Sequence, residues 1–193
     1  MNRSQDSLDT GSTRAILKHW REAVPNDRMA HLVKDATRAL VRALQVRLNE
    51  HSISFGHWTF LRILWETDGL TQRELSQQAG VMEPTTFSAL KSMEKLGLIR
   101  RKQALSDRRK VLIHLTHKAK LLKRKLVPLA TAVNNIALKG VRPADIARTR
   151  RTLLAIMENL ARNEQESGKG KRLRSTRELG ELVAMAGRSF RDR

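Results

Sequence analysis

The sequence has 193 residues, which allow one domain with a hydrophobic core or two very small domains. It contains no cysteine, which excludes disulfide bonds and thiolate metal sites, and only 4% of its residues are aromatic. The formal net charge is +19, and residues 98–125 hold eleven Lys or Arg residues but only one acidic residue. So strong a local excess of positive charge favours nucleic acid as the partner. The alternatives are an anionic membrane surface and a charge that serves only solubility.

The N-terminal segment 1–25 is expected to be a flexible arm. Residues 1–14 are polar and lack the apolar core of a signal peptide. The longest apolar-rich run without a charge, 126–138, is too short to span a bilayer as a helix. We therefore expect a soluble, cytoplasmic protein that has no membrane partner.

Two helices follow the arm. Apolar residues recur at three- and four-residue spacings over 29–48 and predict a long helix that begins at Asn26, where Asn26 or Asp27 can cap it. The segment HSISFG, 51–56, interrupts this pattern because β-branched residues, serines and a glycine are concentrated there. A second helix is predicted over about 57–67.

The next two helices carry clear signals at their ends. Thr71 and Glu74 form a Thr-x-x-Glu capping box that opens a short helix, and Gly80 ends it. Pro84 suits the first turn of the following helix, because its missing N–H would be unbonded there in any case. Gly97 ends that helix. The side chains predicted to face inward from it are Phe87, Leu90, Met93 and Leu96.

Beyond this helix the hydrophobic period changes. The segments LIRRKQ (98–103) and KVLIHL (110–115) are short and rich in β-branched and apolar residues, and they flank ALSDRR, which predicts a β-hairpin. Thr116 can cap a long helix over about 117–138, with Pro128 inside it as an expected kink. After a short turn, a last helix begins at Pro143.

This order of elements predicts a mainly α fold, namely a winged helix-turn-helix over 57–116 with one β-hairpin as its wing. Dimerisation helices are expected on both sides, in 26–56 and 117–163, so that 26–163 is one domain. Residues 164–193 are expected to form a basic, mostly mobile tail. The second helix of such a motif lies in the major groove of DNA, with its N-terminal turn towards the base edges.

Three motifs in this region resemble the MarR family of winged-helix regulators. They are MEKLGLI (93–99), the wing signature Asp107-Arg108-Arg109 and the closing Leu115-Thr116. The resemblance extends over about residues 28–163. It implies a sequence-specific, DNA-binding transcriptional regulator, and by the family's default a repressor that a ligand releases from DNA.

The resemblance also implies a role for the wing. Arg109 would insert into the minor groove, where A·T-rich DNA attracts arginine, and Asp107 would hold its guanidinium in position. The alternative is that 107–110 form only a solvated polar turn. The cations expected to contact phosphates, and thereby to fix the register on DNA, are Arg100, Arg101, Lys102 and Lys110.

The residues predicted to bind DNA come from the helix-turn-helix and from the wing. They are Thr71, Gln72, Arg73, Glu83, Pro84, Thr85, Thr86, Ser88, Lys91, Arg101, Asp107, Arg108, Arg109 and Lys110. Two recognition helices must reach successive major grooves about 34 Å apart, so we expect a homodimer on double-stranded DNA with a palindromic operator. The alternative is that the flanking helices complete a monomeric core.

A ligand site is predicted on the helix over 57–67. Trp58 and Trp65 with His57 and Arg62 can stack on and neutralise an aromatic carboxylate, and Arg38 and Arg42 on the preceding helix can neutralise a larger anion. The alternative is that the tryptophans belong to the core and the cations to the surface. Within the family, the segments HWREAVPNDRMAHLVKDATRAL (19–40) and FGHWTFLRILWE (55–66) resemble regulators of aromatic-acid or hydroxycinnamate catabolism, which implies a small aromatic acid or its coenzyme A thioester as effector.

Two other function classes compete with this hypothesis. The sequence has no nucleophile elbow, phosphate-binding loop, dinucleotide fingerprint or zinc-protease motif, so no enzyme, cofactor, catalytic residue or metal site is predicted. His114 and His117 are assigned a structural role, and without cysteine the chain cannot sense by thiol oxidation as some family members do. A sequence-nonspecific basic protein that binds chromatin or RNA is the second alternative, because charge alone can support such binding.

Overall fold

The computed structural model describes residues 13–22, 29–104, 107 and 109–166. Arg108, the Asn26 or Asp27 cap and residues 167–193 of the predicted tail lie outside the described residues. The chain forms two compact units, 1–137 and 138–193, so the division falls inside the span predicted as one domain. No helix among the described residues is both long and apolar enough to cross a membrane.

The described residues of the first unit form six helices and a small antiparallel sheet. Its elements are α1 (Thr13–Glu22), α2 (Met29–Asn49), α3 (Phe55–Glu66), β1 (Leu70–Thr71), α4 (Gln72–Ala79), α5 (Glu83–Lys95), β2 (Ile99–Gln103), β3 (Val111–Leu115) and α6 (His117–Ala137). The strand order is β1-β3-β2, with Ile99 opposite Leu115 and Leu70 opposite Ile113. The predicted mainly α winged helix-turn-helix fold is therefore confirmed, and β1 is a third strand that the sequence pattern did not indicate.

One hydrophobic core holds this unit together. Its largest fully buried apolar side chains come from α2 to α6, from the sheet and from the turn before β2, and they are Leu48, Leu61, Leu64, Leu75, Leu90, Met93, Leu98, Ile113 and Leu126. Both the helix-turn-helix and the hairpin contribute to this core. The wing and α5 therefore pack on the same hydrophobic core.

The turn between α3 and α4 is tied to the hairpin through Asp68. This carboxylate accepts a 2.8 Å hydrogen bond from the Leu115 amide and lies 3.7 Å from His114 Nδ1. Gly69 has a φ of +81°, and a Cβ atom there would lie 2.8 Å from His114 Cε1, so only glycine permits this close approach. His114 therefore has a structural partner, in agreement with the role assigned to it from the sequence.

The predicted flexible arm is wrong for residues 13–22, which form α1. The Trp20 indole donates a 3.1 Å hydrogen bond to Asp35 Oδ2 on α2. Ile16 and Trp20, four residues apart, are both partly buried. Two apolar residues at this spacing lie on one face of a helix, which allows a short helix such as α1 to pack against another element. The spacing is a weak signal of a helix, and the many polar residues around it favoured the prediction of a flexible arm.

Helix α3 begins at Phe55, two residues before the predicted start at His57. Ser54 is the N-cap: its hydroxyl accepts from the His57 amide at 3.1 Å, while His57 Nδ1 accepts from the Ser54 amide. Histidine thus replaces the Glu or Gln of the usual capping box. Gly56 lies inside the first turn, so only part of 51–56 interrupts the helical pattern.

The inward face of α5 is also partly mispredicted. Leu90 and Met93 are fully buried, but Phe87 and Leu96 are exposed, and Thr86 occupies the buried position of the first turn. Residues 86, 90 and 93 share one face at helical spacing, whereas residue 87 is rotated about 100° from residue 86. Thr86 can be buried because its hydroxyl donates to the Met82 carbonyl at 3.3 Å.

The capping box at the start of α4 is present as predicted. The Thr71 amide donates to Glu74 Oε2 at 2.7 Å, and the Glu74 amide donates to Thr71 Oγ1 at 3.3 Å. We expect Thr71→Ala to lower the free energy of unfolding by about 1 kcal/mol, because one amide of the first turn loses its acceptor. Urea denaturation followed by circular dichroism measures this change. Thr71→Ser keeps the hydroxyl and is the control; equal stability of the alanine variant and the parent would contradict the prediction.

The second unit is described from Leu138 to Glu166 and contains α7 (Pro143–Glu166), which starts at the predicted proline. Arg142 Nε lies 2.7 Å from Asp145 Oδ2 at its first turn. No side chain of α7 is buried among the described residues. The large apolar side chains that it exposes are Leu153, Leu154, Ile156, Met157 and Leu160.

Candidate nucleic-acid interface

Helices α4 and α5 are joined by a rigid turn. Gly80 ends α4 in the left-handed conformation, with a φ of +64°. Ser76 Oγ then donates to the Val81 carbonyl at 2.6 Å, and the Val81 amide donates to the Ser76 carbonyl at 3.2 Å. These bonds fix the direction in which α5 leaves the turn.

The first turn of α5 is open for an external acceptor. Its N-cap, Met82, provides no side-chain hydrogen bond, and Pro84 lies in the first turn as predicted. Unsatisfied amides at a helix N-terminus favour a phosphate group, through hydrogen bonding and through the helix dipole. The exposed residues at this end of the helix are Glu83, Pro84, Thr85, Phe87, Ser88 and Lys91.

Five of the six residues predicted to bind DNA from α5 are thus exposed, and the prediction for Thr86 is wrong. Thr86 has no exposed surface, and its hydroxyl is bonded within the helix. Phe87 faces solvent instead, at the outward position that was predicted for Thr86. The sequence pattern predicted that Phe87 faces inward, because apolar residues at helical spacing normally face the core.

The start of α4 carries the other predicted contacts of the helix-turn-helix. Arg73 is exposed, whereas Thr71 and Gln72 are partly buried. The Thr71 hydroxyl and amide both bond to Glu74, and these bonds lower the pKa of the Glu74 carboxyl, with a smaller contribution from the Lys110 ammonium. Thr71 therefore stabilises the helix start, and Arg73 is the cation that this turn presents to solvent.

Arg109, which the resemblance assigns to the minor groove, lies on the wing next to Asp107. Its side chain is 94% exposed, and Nε lies 3.5 Å from Asp107 Oδ1. The same carboxylate oxygen accepts from the Arg109 amide at 3.0 Å. The Lys110 amide donates to the Asp107 carbonyl and the Ala104 amide donates to the Lys110 carbonyl, each at 2.9 Å, which closes the base of the wing tip.

Strand β2 places its cations in two different settings. Arg100 and Lys102 are exposed. Arg101 is partly buried: its Nε lies 3.1 Å from Glu94 Oε2, and its guanidinium carbon lies 5.9 Å from the centre of the Phe87 ring. The predicted phosphate contact of Arg101 would therefore come from a guanidinium that already bridges the hairpin and α5.

A separate cavity of about 920 Å³ lies within the first unit, between α2, α3, α4 and α6. Three of the predicted ligand residues line it, namely Trp58, Arg62 and Trp65. The two indole rings meet edge to face with their centres 5.7 Å apart, and Trp65 Nε1 donates to the Ala119 carbonyl at 3.0 Å. The wall combines apolar and polar side chains with an exposed cation, Arg62, a combination that suits an anionic aromatic molecule.

The other three predicted ligand residues do not line this cavity. Arg38 pairs with Asp35 at 3.6 Å, and Arg42 is exposed elsewhere on α2. His57 faces α5, with Nε2 3.1 Å from Ser92 Oγ, and burial lowers the pKa of its imidazole. His57 therefore connects α3 to α5 instead of contacting the cavity.

The sequence interpretation missed the wall of the cavity that α6 provides. The α6 residues that line it are Lys123, Val127, Ala130, Thr131, Val133 and Asn134. Lys123, Val127, Ala130 and Asn134 recur at helical spacing, which is a signal that the sequence contains. Lys123 Nζ lies 3.3 Å from Glu66 Oε1, so its charge is partly neutralised at the rim.

The family model described as MarR family matches residues 53–111 of this chain. The organic hydroperoxide resistance transcriptional regulator of Bacillus subtilis is 28% identical over 134 residues, which are 69% of this chain and 90% of that protein. The homoprotocatechuate degradative operon repressor of Escherichia coli is 26% identical over 97 residues, or 50% of this chain and 66% of the repressor.

Solved structures share the fold. The crystal structure of transcriptional regulator PA3341 is 34% identical, with a TM-score of 0.64, and the match covers 70% of this chain and 99% of that one. A MarR family regulator from Listeria monocytogenes, complexed with 26mer DNA, is 25% identical with a TM-score of 0.67 over 78% and 100% of the two chains. CouR from Rhodococcus jostii RHA1, bound to p-coumaroyl-CoA, is 21% identical with a TM-score of 0.61 over 67% and 92%.

Proposed function

Because this chain belongs to the MarR family of DNA-binding transcriptional regulators, we propose that it acts as a homodimeric repressor on a palindromic operator. A small anionic aromatic acid, or its coenzyme A thioester, is the proposed signal that releases it. The observation that carries the proposal is the wing, where an arginine supported by Asp107 projects into solvent.

The contacts with DNA divide into two kinds. Arg109 in the minor groove and the exposed side chains at the start of α5 in the major groove supply sequence and shape recognition. Arg73, Arg100, Lys102 and Lys110 contact phosphates and fix the register. The concentration of cations near this surface explains why a net charge of +19 is compatible with specific binding.

The proposed dimer follows from the apolar surface that one chain leaves exposed. Helix α7 exposes five large apolar side chains, and α2 exposes Met29, Leu32 and Val46. Apolar stripes of this kind are typical of helices that pack against another copy. A dimer would also satisfy the need to place two recognition helices in successive major grooves.

The proposed effector follows from the cavity within the first unit. Its volume of about 920 Å³ is within the range of small-molecule sites, and the partly exposed indole of Trp65 provides surface for an aromatic ring. The names of the Escherichia coli relative and of CouR point in the same direction. We propose that the ligand favours a spacing of the recognition helices that no longer fits two adjacent grooves, which is a shift between populated states.

A competition experiment tests the proposed function. Fluorescence anisotropy would compare binding of the full chain to its promoter palindrome and to a random duplex of equal length, at the same salt concentration. We expect at least about a thousandfold preference for the palindrome, the lower range for specific binders, and a stoichiometry of two chains per duplex. Equal affinity for the two duplexes would instead support the alternative of a sequence-nonspecific basic nucleic-acid-binding protein.

A further inference from the structure

Phe87 is unusual among the aromatic residues of this protein. With 48% of its surface accessible, it is the most exposed Phe or Trp side chain among the described residues, and it lies on α5, the helix proposed to enter the major groove. Pro84, Ser88 and Lys91 are spaced so that they share its face of the helix, and all three are exposed. An apolar ring thus lies at the centre of the surface that faces DNA in the proposed function.

The ring is held in place from one side. The Arg101 guanidinium lies over it at 5.9 Å, and Arg101 is itself fixed by Glu94 at 3.1 Å. Such a cation–π contact limits the rotation of the phenyl ring, while 48% of the Phe87 surface stays accessible. An apolar surface held in one orientation is suited to a specific apolar contact, since little side-chain freedom remains to be lost on binding.

The major groove of DNA offers one apolar group of matching size, the C5-methyl group of thymine. Ser88 already donates its hydroxyl proton to the Pro84 carbonyl at 3.0 Å, so it can act only as an acceptor towards a base. Lys91, one turn further along the helix, supplies a cation for a phosphate or a guanine. This face of α5 therefore has an apolar ring at its centre and polar side chains on either side. Such an arrangement suits contact with a thymine that has other bases as neighbours.

We propose that Phe87 recognises thymine in each operator half-site by contact with its methyl group, and that Arg101 is the positioning residue for the ring. The inference rests on the proposed function, because it assumes that α5 lies in the major groove. It extends that function by assigning base specificity to a residue that the sequence pattern placed in the core. It also gives Arg101 a role other than a simple phosphate contact.

Replacement of thymine by deoxyuridine tests the contact, because deoxyuridine lacks only the methyl group. Each thymine of the palindrome is replaced in turn, in both half-sites, and binding of the full chain is measured by anisotropy. For the parent protein we expect one or two positions at which the loss is about fourfold per half-site, the effect of leaving one methyl group in water. For Phe87→Ala we expect weaker binding overall and no further loss at those positions.

Two variants serve as controls. Phe87→Leu keeps an apolar side chain and should retain the deoxyuridine effect. Leu121→Ala removes an apolar side chain that is 49% exposed on α6, and it should leave the effect unchanged. If the parent prefers the palindrome yet tolerates deoxyuridine everywhere, or if Phe87→Ala keeps the effect, the thymine contact is overturned while the proposed function stands. A parent that does not prefer the palindrome overturns both.

The role of Arg101 has its own readout. If it positions the ring, Arg101→Gln should bring the ratio of deoxyuridine to thymine affinities towards one and leave the salt dependence of binding unchanged. If it is instead a phosphate contact, the slope of the logarithm of affinity against the logarithm of salt concentration should fall by about one, with the deoxyuridine ratio unchanged. The second result would overturn the positioning role.

Discussion

Arg109→Ala is expected to weaken operator binding by about 1–3 kcal/mol, which is about 5- to 150-fold in Kd. The side chain is 94% exposed, so its removal costs the folded chain little, whereas the minor groove loses a guanidinium that Asp107 already holds in position. The measurement is anisotropy with the palindromic promoter fragment at fixed salt. Thermal unfolding and the oligomeric state should not change.

The chain offers a matched control for this variant. Arg142 pairs with Asp145 at 2.7 Å, and its side chain is 80% exposed, so Arg142→Ala removes an equivalent charge and ion pair from the second unit. It should change operator affinity far less than Arg109→Ala does. Arg109→Lys separates charge from shape, because lysine keeps the charge but lacks the planar fork. If Arg109→Ala and Arg142→Ala have the same effect, the wing contributes only general electrostatic attraction.

Local signals in the sequence predicted much of the fold correctly. The capping box of Thr71 and Glu74, the left-handed Gly80 and the proline in the first turn of α5 all depend on residues close together in the chain. Such signals express backbone hydrogen-bonding needs that tertiary packing rarely overrides. For the same reason the sequence alone locates the helix-turn-helix and the hairpin.

Other features depend on how distant segments meet, and there the sequence was ambiguous. From the sequence, either Phe87 or Thr86 could face the core from α5. In the structure Thr86 faces the core and bonds through its hydroxyl to the Met82 carbonyl, whereas Phe87 lies next to Arg101 of β2. His57 resembled a ligand residue by its spacing from Trp58, yet its contacts are Ser54 and Ser92. In each case the residue type allowed two roles, and only the packing of another element selects one of them.

Arg62→Leu is expected to weaken binding of an anionic aromatic ligand by about 10- to 150-fold. Arg62 is exposed on the cavity wall, and among the described residues it has no hydrogen-bond or ion-pair partner, whereas Lys123 is already bonded to Glu66. A bound carboxylate or phosphate would therefore rely on Arg62 for its charged hydrogen bond, and such a bond contributes about 1.5–3 kcal/mol. The probes are 4-hydroxycinnamate and p-coumaroyl-CoA, measured by calorimetry and by quenching of tryptophan fluorescence.

This variant isolates the ligand response better than a substitution of the tryptophans. Trp65 donates to the Ala119 carbonyl and packs on Trp58, so its removal would disturb the first unit as well as the cavity. Arg62→Leu should leave ligand-free operator binding and the unfolding temperature unchanged, while more ligand is needed to release the DNA. Arg42→Leu removes an arginine from α2 that does not line the cavity, and it is the matched control. Equal ligand affinity of the two variants would mean that the effector binds elsewhere, and the population shift would then have to begin at another site.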